Sequence, residues 1–439
     1  MIFEPGQLPN VVARMTGQTN KTIYAGNHRD AWVYGAVDPH SGTVALMEAA
    51  RAFGALRASG WTPKRSIVFG SWSGEEYGLL GSTAFAELHA AEIAENGVAY
   101  VNLDVAVSGN ATLEGAGTQS LDRLFAEAVR DVEKNEADHL EMSPSKKANA
   151  NAAAAARVPN TKTWRLRPHA GDDETKAAVG ENLLGTVGSG SDYTAFVDNL
   201  GIPSVDFSFK SPDGRQYGTY HSIYDSFTYI DSGLSGGWDL HATASALFAL
   251  TIYRLADRDV VPIDPLSEAI AIHEYVEELE ADSTSDLVDL APLVDAASAF
   301  FDAASCASAD AGAADRDAAR EQRLETTTDD PAADINARLE KYERQFLSAP
   351  GLPDRPWYKH VLQAPGYYLG YGSTAFPGVA HALEDGRLDE AQQQVDVAAD
   401  RINAAAAVLC PAGLGAASSG PRVPKTTVPD ASRAATGDE

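Results

Sequence analysis

Short runs of β-branched and aromatic residues alternate with helical patterns over the first 257 residues of the chain. The stretches at 41–59 and 79–96 carry apolar side chains at the three- and four-residue spacing of a helix. Strands that alternate with helices are typical of a mostly parallel central sheet flanked by helices. We therefore predict an α/β fold for this region. Its four predicted strands are Thr22–Asn27, Arg65–Trp72, Val98–Asp104 and Pro203–Phe209.

From residue 258 onward the pattern is helical and poor in strands, which predicts an all-α region of four or more helices. A charged stretch at 315–331 is expected to connect two of these helices. Residues 136–182 are polar and low in complexity, so we expect an irregular insertion there. The predicted organisation is an α/β domain at 1–257, a helical domain at 258–410 and a disordered tail at 411–439.

Composition narrows the classes of partner. The chain has 439 residues, with 62 Asp and Glu against 34 Lys and Arg, and a net charge of −28. Phosphate groups require a basic surface, so we expect neither a nucleic-acid partner nor docking on an anionic membrane. No stretch approaches the ~20 apolar residues of a transmembrane helix. The N-terminal residues also lack the basic-then-apolar pattern of a signal peptide, so the compartment stays open.

Two cysteines, Cys306 and Cys410, are too few for a disulfide framework or a cysteine-based zinc site. A single bridge between them is one possibility. Two isolated buried thiols are the other, and we favour this interpretation because free cysteines are commonly buried.

Histidines and carboxylates recur just after the predicted strands. In open α/β sheets, ligands bind in the crevice beyond the carboxyl ends of the strands, so these side chains are expected to converge there. Taken singly, a histidine is more often an ordinary surface or core residue, and a Glu-Glu pair usually lies on a solvated helix. The ordered set nevertheless indicates a site. Its members are His28 and Asp38 after the first strand, Glu75 and Glu76 after the second, Asp104 at the end of the third, and His221 in GTYHSIYDS.

These residue types point to metal chemistry. Carboxylates brought into one cleft repel each other and raise one another's pKa values unless a cation neutralises them. Two histidines and three carboxylates, one of them shared, supply the nitrogen and oxygen ligands of a two-zinc site with open positions. Of two adjacent glutamates, one can bind zinc while the other acts as a general base toward a water molecule.

The ordered motifs HRDAW, GxxDPxSG, WxxEExGLLGS, NxD, GSGSDY and YHSxYD resemble those of a known family. They are similar to the glutamate carboxypeptidase branch of the co-catalytic zinc exopeptidases, which also includes the transferrin receptors. The resemblance runs from about Val11 to Leu409, and GLPDRPWYKHVLQAPGYYLGYGSTAFPGVAHAL is similar to the dimerisation domain of that family. It implies a peptide substrate and a homodimer formed through the helical region.

The resemblance also implies roles for individual residues. It assigns His28 and Glu76 to one zinc and His221 and Asp104 to the other, with Asp38 as the bridge, followed by a cis peptide at Pro39. It implies that Glu75 is the general base and that the Tyr220 hydroxyl stabilises the oxyanion. Gly190 and Tyr371 fall on substrate-binding positions. Because every ligand position is filled, the resemblance favours an enzyme over a receptor-like scaffold.

Departures from the family pattern bear on specificity. Gly370 stands where the glutamate-specific members have a lysine, and their arginine patch is replaced here by Glu114, Asp206 and Ser208. An acidic subsite favours a neutral or basic residue, or a free α-ammonium group, and so favours dipeptidase or aminopeptidase action. A second departure is that the opening segment and the inserted apical domain of the family have no counterpart in this sequence.

Two alternatives remain open. A related zinc hydrolase could act on a non-peptide amide, in which case substrates without a free amine would be turned over. A catalytically inactive, receptor-like dimeric module would instead fail to bind zinc, or would bind it without turnover. The relatives suggested by the resemblance act outside the cell, and the acidic charge agrees with that location.

Overall fold

The computed structural model describes residues 6–142, 165–166, 183–211, 217–281, 287–324 and 332–411. Within these residues, the strands form one large sheet and one two-stranded antiparallel sheet. The strands are β1 Val11–Met15, β2 Thr22–His28, β3 Ser66–Trp72, β4 Gly97–Asn102, β5 Thr112–Gly117, β6 Arg165–Leu166, β7 Leu184–Gly185, β8 Ser204–Lys210, β9 Gln363–Pro365 and β10 Ser373–Ala375.

The large sheet has the order β1-β3-β2-β4-β8-β5-β6, and β7 also pairs with β5. Its centre is parallel, because β2 runs parallel to β3 and β4, and β4 runs parallel to β8. All seven residues of β2 are buried, as expected for a central strand covered on both faces. The α/β prediction is therefore confirmed, and each of the four predicted strands lies within two residues of its predicted bounds.

Of the ten strands in the described residues, the sequence pattern missed six, and β1 and β5 are the longest of these. Strand β1 pairs antiparallel with β3 at the edge of the sheet, and its side chains are mostly exposed, so it has no alternation of buried and polar positions. Strand β5 pairs antiparallel with β8 and contains two glycines. Glycine lowers β-propensity, which explains the weak signal in TLEGAG.

The helices of the first region cover the sheet. The segment predicted as one helix at 79–96 is two helices that meet at His89. The irregular insertion predicted at 136–182 is wrong for residues 136–142, because strong helix formers extend a helix to Met142. Apart from β6, the rest of that prediction lies outside the described residues. The helices are α1 His40–Ala58, α2 Leu80–Leu88, α3 Ala90–Asn96, α4 Asp122–Met142, α5 Phe227–Asp231 and α6 Trp238–Asp257.

The C-terminal region is helical, as predicted. The charged connector expected at 315–331 is wrong for residues 315–324, which continue a long helix because Ala, Arg, Glu and Gln favour helix. Residues 325–331 and the tail from 412 lie outside the described residues. The helices here are α7 Pro265–Ala281, α8 Ala291–Leu324, α9 Ala333–Leu339, α10 Pro377–Glu384 and α11 Leu388–Leu409.

One hydrophobic core runs through both regions. A single cluster of buried side chains extends from Ile23 in β2 through Phe248 in α6 to Phe300 in α8 and Leu409 in α11. The division of the chain into domains at residue 257 therefore stays a prediction. In the described part of the chain, no helix is both long and apolar enough to cross a membrane.

Cys306 and Cys410 form a disulfide in the structure, which contradicts the interpretation as two isolated thiols. Cys306 lies within α8, and Cys410 follows the last residue of α11. The packing of these two helices brings the Cα atoms within 6.1 Å, although the cysteines are 104 residues apart in sequence. Only the tertiary packing of α8 against α11 creates that proximity.

Buried ionisable groups lie where the sheet region meets the C-terminal helices. Glu268 of α7 accepts a 2.9 Å hydrogen bond from the backbone N–H of Ser120, which follows β5. Glu343 and His360 face each other at 3.3 Å between Oε1 and Nε2, and both side chains are 1% exposed. Burial raises the pKa of Glu268 and of Glu343 to about 8 and lowers that of His360 to about 4. All three groups are therefore uncharged at neutral pH.

Replacing Glu343 with Gln is expected to make stability less sensitive to pH. A carboxyl whose pKa is raised on folding stabilises the protein below its unfolded pKa and loses that contribution as pH rises through the folded value. The free energy of unfolding of the wild type should fall between about pH 5 and 8, with about 1.4 kcal/mol per pH unit of the slope due to this group. The amide can still accept the hydrogen bond from His360.

Urea unfolding at several pH values measures the slopes, and Glu384→Gln, an exposed substitution at the end of α10, is the control. Equal slopes for Glu343→Gln and the wild type would contradict a neutral buried Glu343.

Candidate metal centre

The sheet topology brings the predicted residues together. Strands β3, β2 and β4 are adjacent and parallel, so their carboxyl ends lie at one edge of the sheet. His28 is the last residue of β2, while the Glu75–Glu76 pair and Asp104 follow β3 and β4 by a few residues. This edge opens into a cleft of about 470 Å³. The cleft lining includes Trp32, Asp38, Glu75, Glu76, Asp104, Gly190, Asp206, Lys210, Tyr220, His221 and Tyr371.

His28 faces acceptors from both ring nitrogens. Its Nδ1 lies 3.0 Å from the backbone carbonyl oxygen of Asp30, and that oxygen can only accept a hydrogen bond, so Nδ1 carries a hydrogen. Its Nε2 lies 2.9 Å from Asp104 Oδ1 and 3.5 Å from Asp38 Oδ1. A neutral imidazole would therefore point a lone pair at carboxylate oxygens. A proton or a metal ion must lie between them.

His221 also lies close to two carboxylates. Its Nε2 lies 3.1 Å from Asp38 Oδ2 and 3.2 Å from Glu76 Oε2. The backbone of His221 has a φ of +55°, a conformation that non-glycine residues adopt at a cost and that tends to occur at functional sites. The ring of Tyr220 stacks on the His221 ring, with centroids 3.6 Å apart.

Two ligand groups share one carboxylate. Ligand atoms of His28, Asp38 and Asp104 lie within 4.8 Å of one another, and so do those of Asp38, Glu76 and His221. This grouping contradicts the expected pairing of His28 with Glu76 and of His221 with Asp104. Both β3 and β4 are neighbours of β2, so strand order alone does not set the pairing. The turn after β3 brings Glu76 to within 3.2 Å of His221, while Asp104 lies 2.9 Å from His28.

Asp38 lies between the two histidines, as the resemblance implied for the bridging ligand. Its peptide bond to Pro39 is cis.

Burial and mutual repulsion perturb these carboxylates. Burial, and then the charge of Asp104, raises the pKa of Asp38 to about 8 and that of Glu75 to about 9. Burial raises the pKa of Glu76 to about 7. Burial opposes protonation of His28, but the charge and hydrogen bond of Asp104 outweigh it and hold its pKa well above the usual value. A dication would relieve this repulsion.

The donor set fits a zinc-type ion. Two imidazole nitrogens and three carboxylates match the nitrogen and oxygen ligands that zinc accepts. The Nδ1 of His28 is held by a backbone carbonyl, the arrangement that orients a metal-binding imidazole. Glu75 belongs to neither ligand group, although its Oε2 lies 3.7 Å from His28 Nε2.

The residues expected to contact substrate line the same cleft. Burial, and then the charge of Asp38, raises the pKa of Tyr220 above its usual value, so its hydroxyl keeps its proton. Tyr371 lies in the exposed turn between β9 and β10, and a Cβ added to Gly190 would lie 3.7 Å from the Tyr371 Cβ. At Gly188 a Cβ would come within 2.0 Å of the Tyr371 carbonyl oxygen, so only glycine permits this contact. Their substrate-binding roles stay predictions.

The acidic residues of the predicted subsite have partners in the structure. Glu114 Oε2 lies 3.1 Å from Lys210 Nζ, which offsets its charge. Asp206 Oδ1 accepts hydrogen bonds from Asn102 Nδ2 at 3.2 Å and from the backbone N–H of Asp104 at 3.4 Å. Lys210 lines the cleft and was not singled out in the sequence. The subsite is therefore less acidic than its sequence implied.

Two residues that position the site, Asp30 and Ser191, carry no individual signal in the sequence. Asp30 accepts the backbone N–H groups of Glu75 and Glu76 at 3.1 and 3.3 Å, and so orients the Glu-Glu turn. The Ser191 hydroxyl donates a 2.6 Å hydrogen bond to Asp104 Oδ2. Both lie inside motifs that were recognised, HRDAW and GSGSDY. The motifs marked the place, but only the fold shows which atoms these side chains contact.

Comparison with known proteins identifies the family of the chain. Residues 10–244, more than half of the chain, match the model of peptidase family M28, and the chain belongs to that family. Residues 288–410 match the transferrin receptor-like dimerisation domain. The resemblance noted in the motifs is thereby confirmed.

Individual relatives include both kinds of exopeptidase. The chain is 33% identical over 383 residues to probable glutamate carboxypeptidase LAMP1 of Arabidopsis thaliana, and the aligned part covers 87% of this chain and 50% of the relative. It is 30% identical over 428 residues to aminopeptidase NAALADL1 of Rattus norvegicus, and the aligned part covers 92% of this chain and 52% of that relative. The chain thus spans about half the length of these relatives. Among solved structures, the zinc aminopeptidase BSAP of Bacillus subtilis aligns with a TM-score of 0.40 and 18% identity, covering 57% of this chain and 50% of that chain.

Removing metal is expected to destabilise the protein. A chelator should lower the melting temperature, and added zinc should restore it, because the ion binds only the folded arrangement of these ligands. At a free zinc concentration 1,000 times the Kd, the gain is about 4 kcal/mol. Thermal unfolding followed by circular dichroism measures the shift. Magnesium, which prefers all-oxygen ligands, is the control ion, and an equal shift with magnesium would argue against the histidine ligands.

Proposed function

We propose that this chain forms the catalytic part of a two-zinc exopeptidase that hydrolyses short peptides. The observation that carries the proposal is the geometry around Asp38. Its two oxygens face the Nε2 atoms of His28 and His221 at 3.5 and 3.1 Å, and each histidine has a further carboxylate partner. Membership of a peptidase family and the presence of both exopeptidase types among the relatives support it.

The ligand groups define how the metal would be held. His28 and Asp104 would bind one zinc, Glu76 and His221 the other, and Asp38 would bind both. Zinc bound there would polarise the carbonyl of the scissile bond and lower the pKa of water. Proton transfer and stabilisation of the oxyanion would be carried out by side chains of this chain.

Glu75 is suited to act as the general base. It lies at the cleft, outside both ligand groups, with its backbone N–H held by Asp30. Burial and the charge of Asp104 raise its pKa to about 9, so it takes up protons readily, and neighbouring cations would lower that value toward neutrality. In the proposed reaction, Glu75 takes a proton from the attacking water and passes it to the leaving amine.

Tyr220 is suited to stabilise the oxyanion. Its hydroxyl keeps its proton, and stacking on His221 fixes the ring beside the ligand groups. A protonated hydroxyl at this position can donate a hydrogen bond to the oxygen of the tetrahedral intermediate.

The charge of the cleft bears on which substrate side chains the enzyme accepts. The Glu114–Lys210 pair contributes no net charge, and the Asp206 carboxylate is engaged by Asn102 and Asp104. We therefore propose that the enzyme is not glutamate-specific, and that dipeptides with neutral side chains are suitable substrates.

Replacing Glu75 with Gln is expected to abolish most hydrolysis while zinc binding is kept. Loss of a general base lowers kcat by about 100- to 10,000-fold, and the amide cannot take up the proton. The measurement is turnover of matched dipeptides, free and N-acetylated, with zinc added. Glu95→Gln, an exposed substitution in α3, is the matched control.

The substrate series separates the candidate functions. Cleavage of the free series alone indicates aminopeptidase or dipeptidase action, and cleavage of the acetylated series indicates carboxypeptidase action. Turnover of non-peptide amides that lack a free amine would favour the related amide hydrolase. A folded dimer that binds zinc and turns over none of these substrates would favour the inactive receptor-like module.

We also propose a homodimer formed through residues 258–410. The support is the match of residues 288–410 to the transferrin receptor-like dimerisation domain. Light scattering after size-exclusion chromatography should give twice the mass of one 46.4 kDa chain. A monomeric mass at micromolar concentration would contradict the dimer.

A further inference from the structure

Asp225 holds the backbone that carries Asp38. Its Oδ1 accepts the N–H of Val37 at 2.7 Å, and its Oδ2 accepts the N–H of Asp38 at 3.1 Å. The Tyr217 hydroxyl donates to the same Oδ2 at 3.2 Å, and the Asp225 backbone carbonyl accepts the N–H of Ala36 at 3.3 Å. Asp225 is 2% exposed, so these contacts replace water almost completely.

The contacts join two loops that meet at the metal centre. Asp225 lies four residues after His221, in the same loop, whereas Asp38 lies between β2 and α1. Val37 and Tyr217 also lie in one buried apolar cluster, but apolar packing is less directional than the two hydrogen bonds that Asp225 accepts from the Val37 and Asp38 backbone. Without those bonds the Asp38 backbone would be less well fixed before metal binds, which weakens affinity.

We propose that Asp225 is a positioning residue that sets the place of the shared ligand Asp38 against His221 and thereby supports both metal sites. This inference rests on the proposed two-zinc site and adds to it a residue that contacts neither metal nor substrate. Because Asp38 belongs to both ligand groups, displacing its backbone affects both sites at once. Loss of a ligand that belongs to a single group, such as His221, would affect mainly one of the two metal sites.

The carboxylate is specifically suited to this role. An ionised aspartate only accepts hydrogen bonds, and here three donors converge on its two oxygens. An asparagine has the same shape but offers a single acceptor oxygen. Its NH₂ group would face a donor, and at least one backbone N–H would lose its partner in a buried site.

The test compares zinc binding in Asp225→Asn and in the wild type. Competition with a chromophoric chelator gives the affinity of each site, and the expected result is a loss of about 10- to 100-fold at both sites. His221→Ala is the comparison and should lose mainly one equivalent. Asp239→Asn, an exposed carboxylate at the start of α6, removes the same charge and should bind zinc as the wild type does.

Turnover provides a second readout. Excess zinc should restore much of the dipeptide hydrolysis in Asp225→Asn, because Asp225 does not touch the reacting atoms, and should restore none in Glu75→Gln. If the asparagine variant does not fold, Asp225→Ser carries the same expectation, since it is smaller and introduces no opposing donor pair. Wild-type affinity in whichever variant folds would overturn the positioning role alone. A wild type that binds no zinc would overturn the proposed function as well.

Discussion

The repulsion among four carboxylates in one cleft is the constraint on which the rest of the site depends. Asp38, Glu75, Glu76 and Asp104 lie around two imidazoles at the edge of the sheet, and burial makes each negative charge costly. Such an arrangement is stable as a set of ions only with cations between the oxygens. Burial and the charge of Asp104 also raise the pKa of Glu75 to about 9, so the conditions that favour a bound cation also favour the proposed role of Glu75 as general base.

Hydrogen bonds from the backbone to two aspartates keep these groups in place. Asp30 binds the N–H groups of the Glu-Glu turn, and Asp225 binds those of Val37 and Asp38. Each carboxylate uses both of its oxygens to hold a segment that would otherwise have unpaired backbone donors. The ligand side chains therefore project from segments already ordered by neighbours that do not themselves belong to the ligand groups.

The C-terminal region reaches the cleft through one close backbone contact. The Tyr371 carbonyl occupies the space that a Cβ of Gly188 would fill, and three residues further on Ser191 donates to Asp104. A segment beyond the sheet region is thus linked through one loop to a ligand of the proposed metal. The buried Glu268 joins the same two regions through its hydrogen bond from Ser120, while the buried Glu343–His360 pair lies within the C-terminal region.

The sequence by itself determined the α/β pattern, the four central strands, and the residues that follow them, because hydrophobic periodicity and residue type are local properties. It could not determine which histidine pairs with which carboxylate, since that depends on how the turn after β3 and the distant His221 loop meet at the edge of the sheet. Nor could it show that Cys306 meets Cys410 or that Lys210 offsets Glu114. These features depend on contacts between distant parts of the chain, so only the tertiary structure decided them.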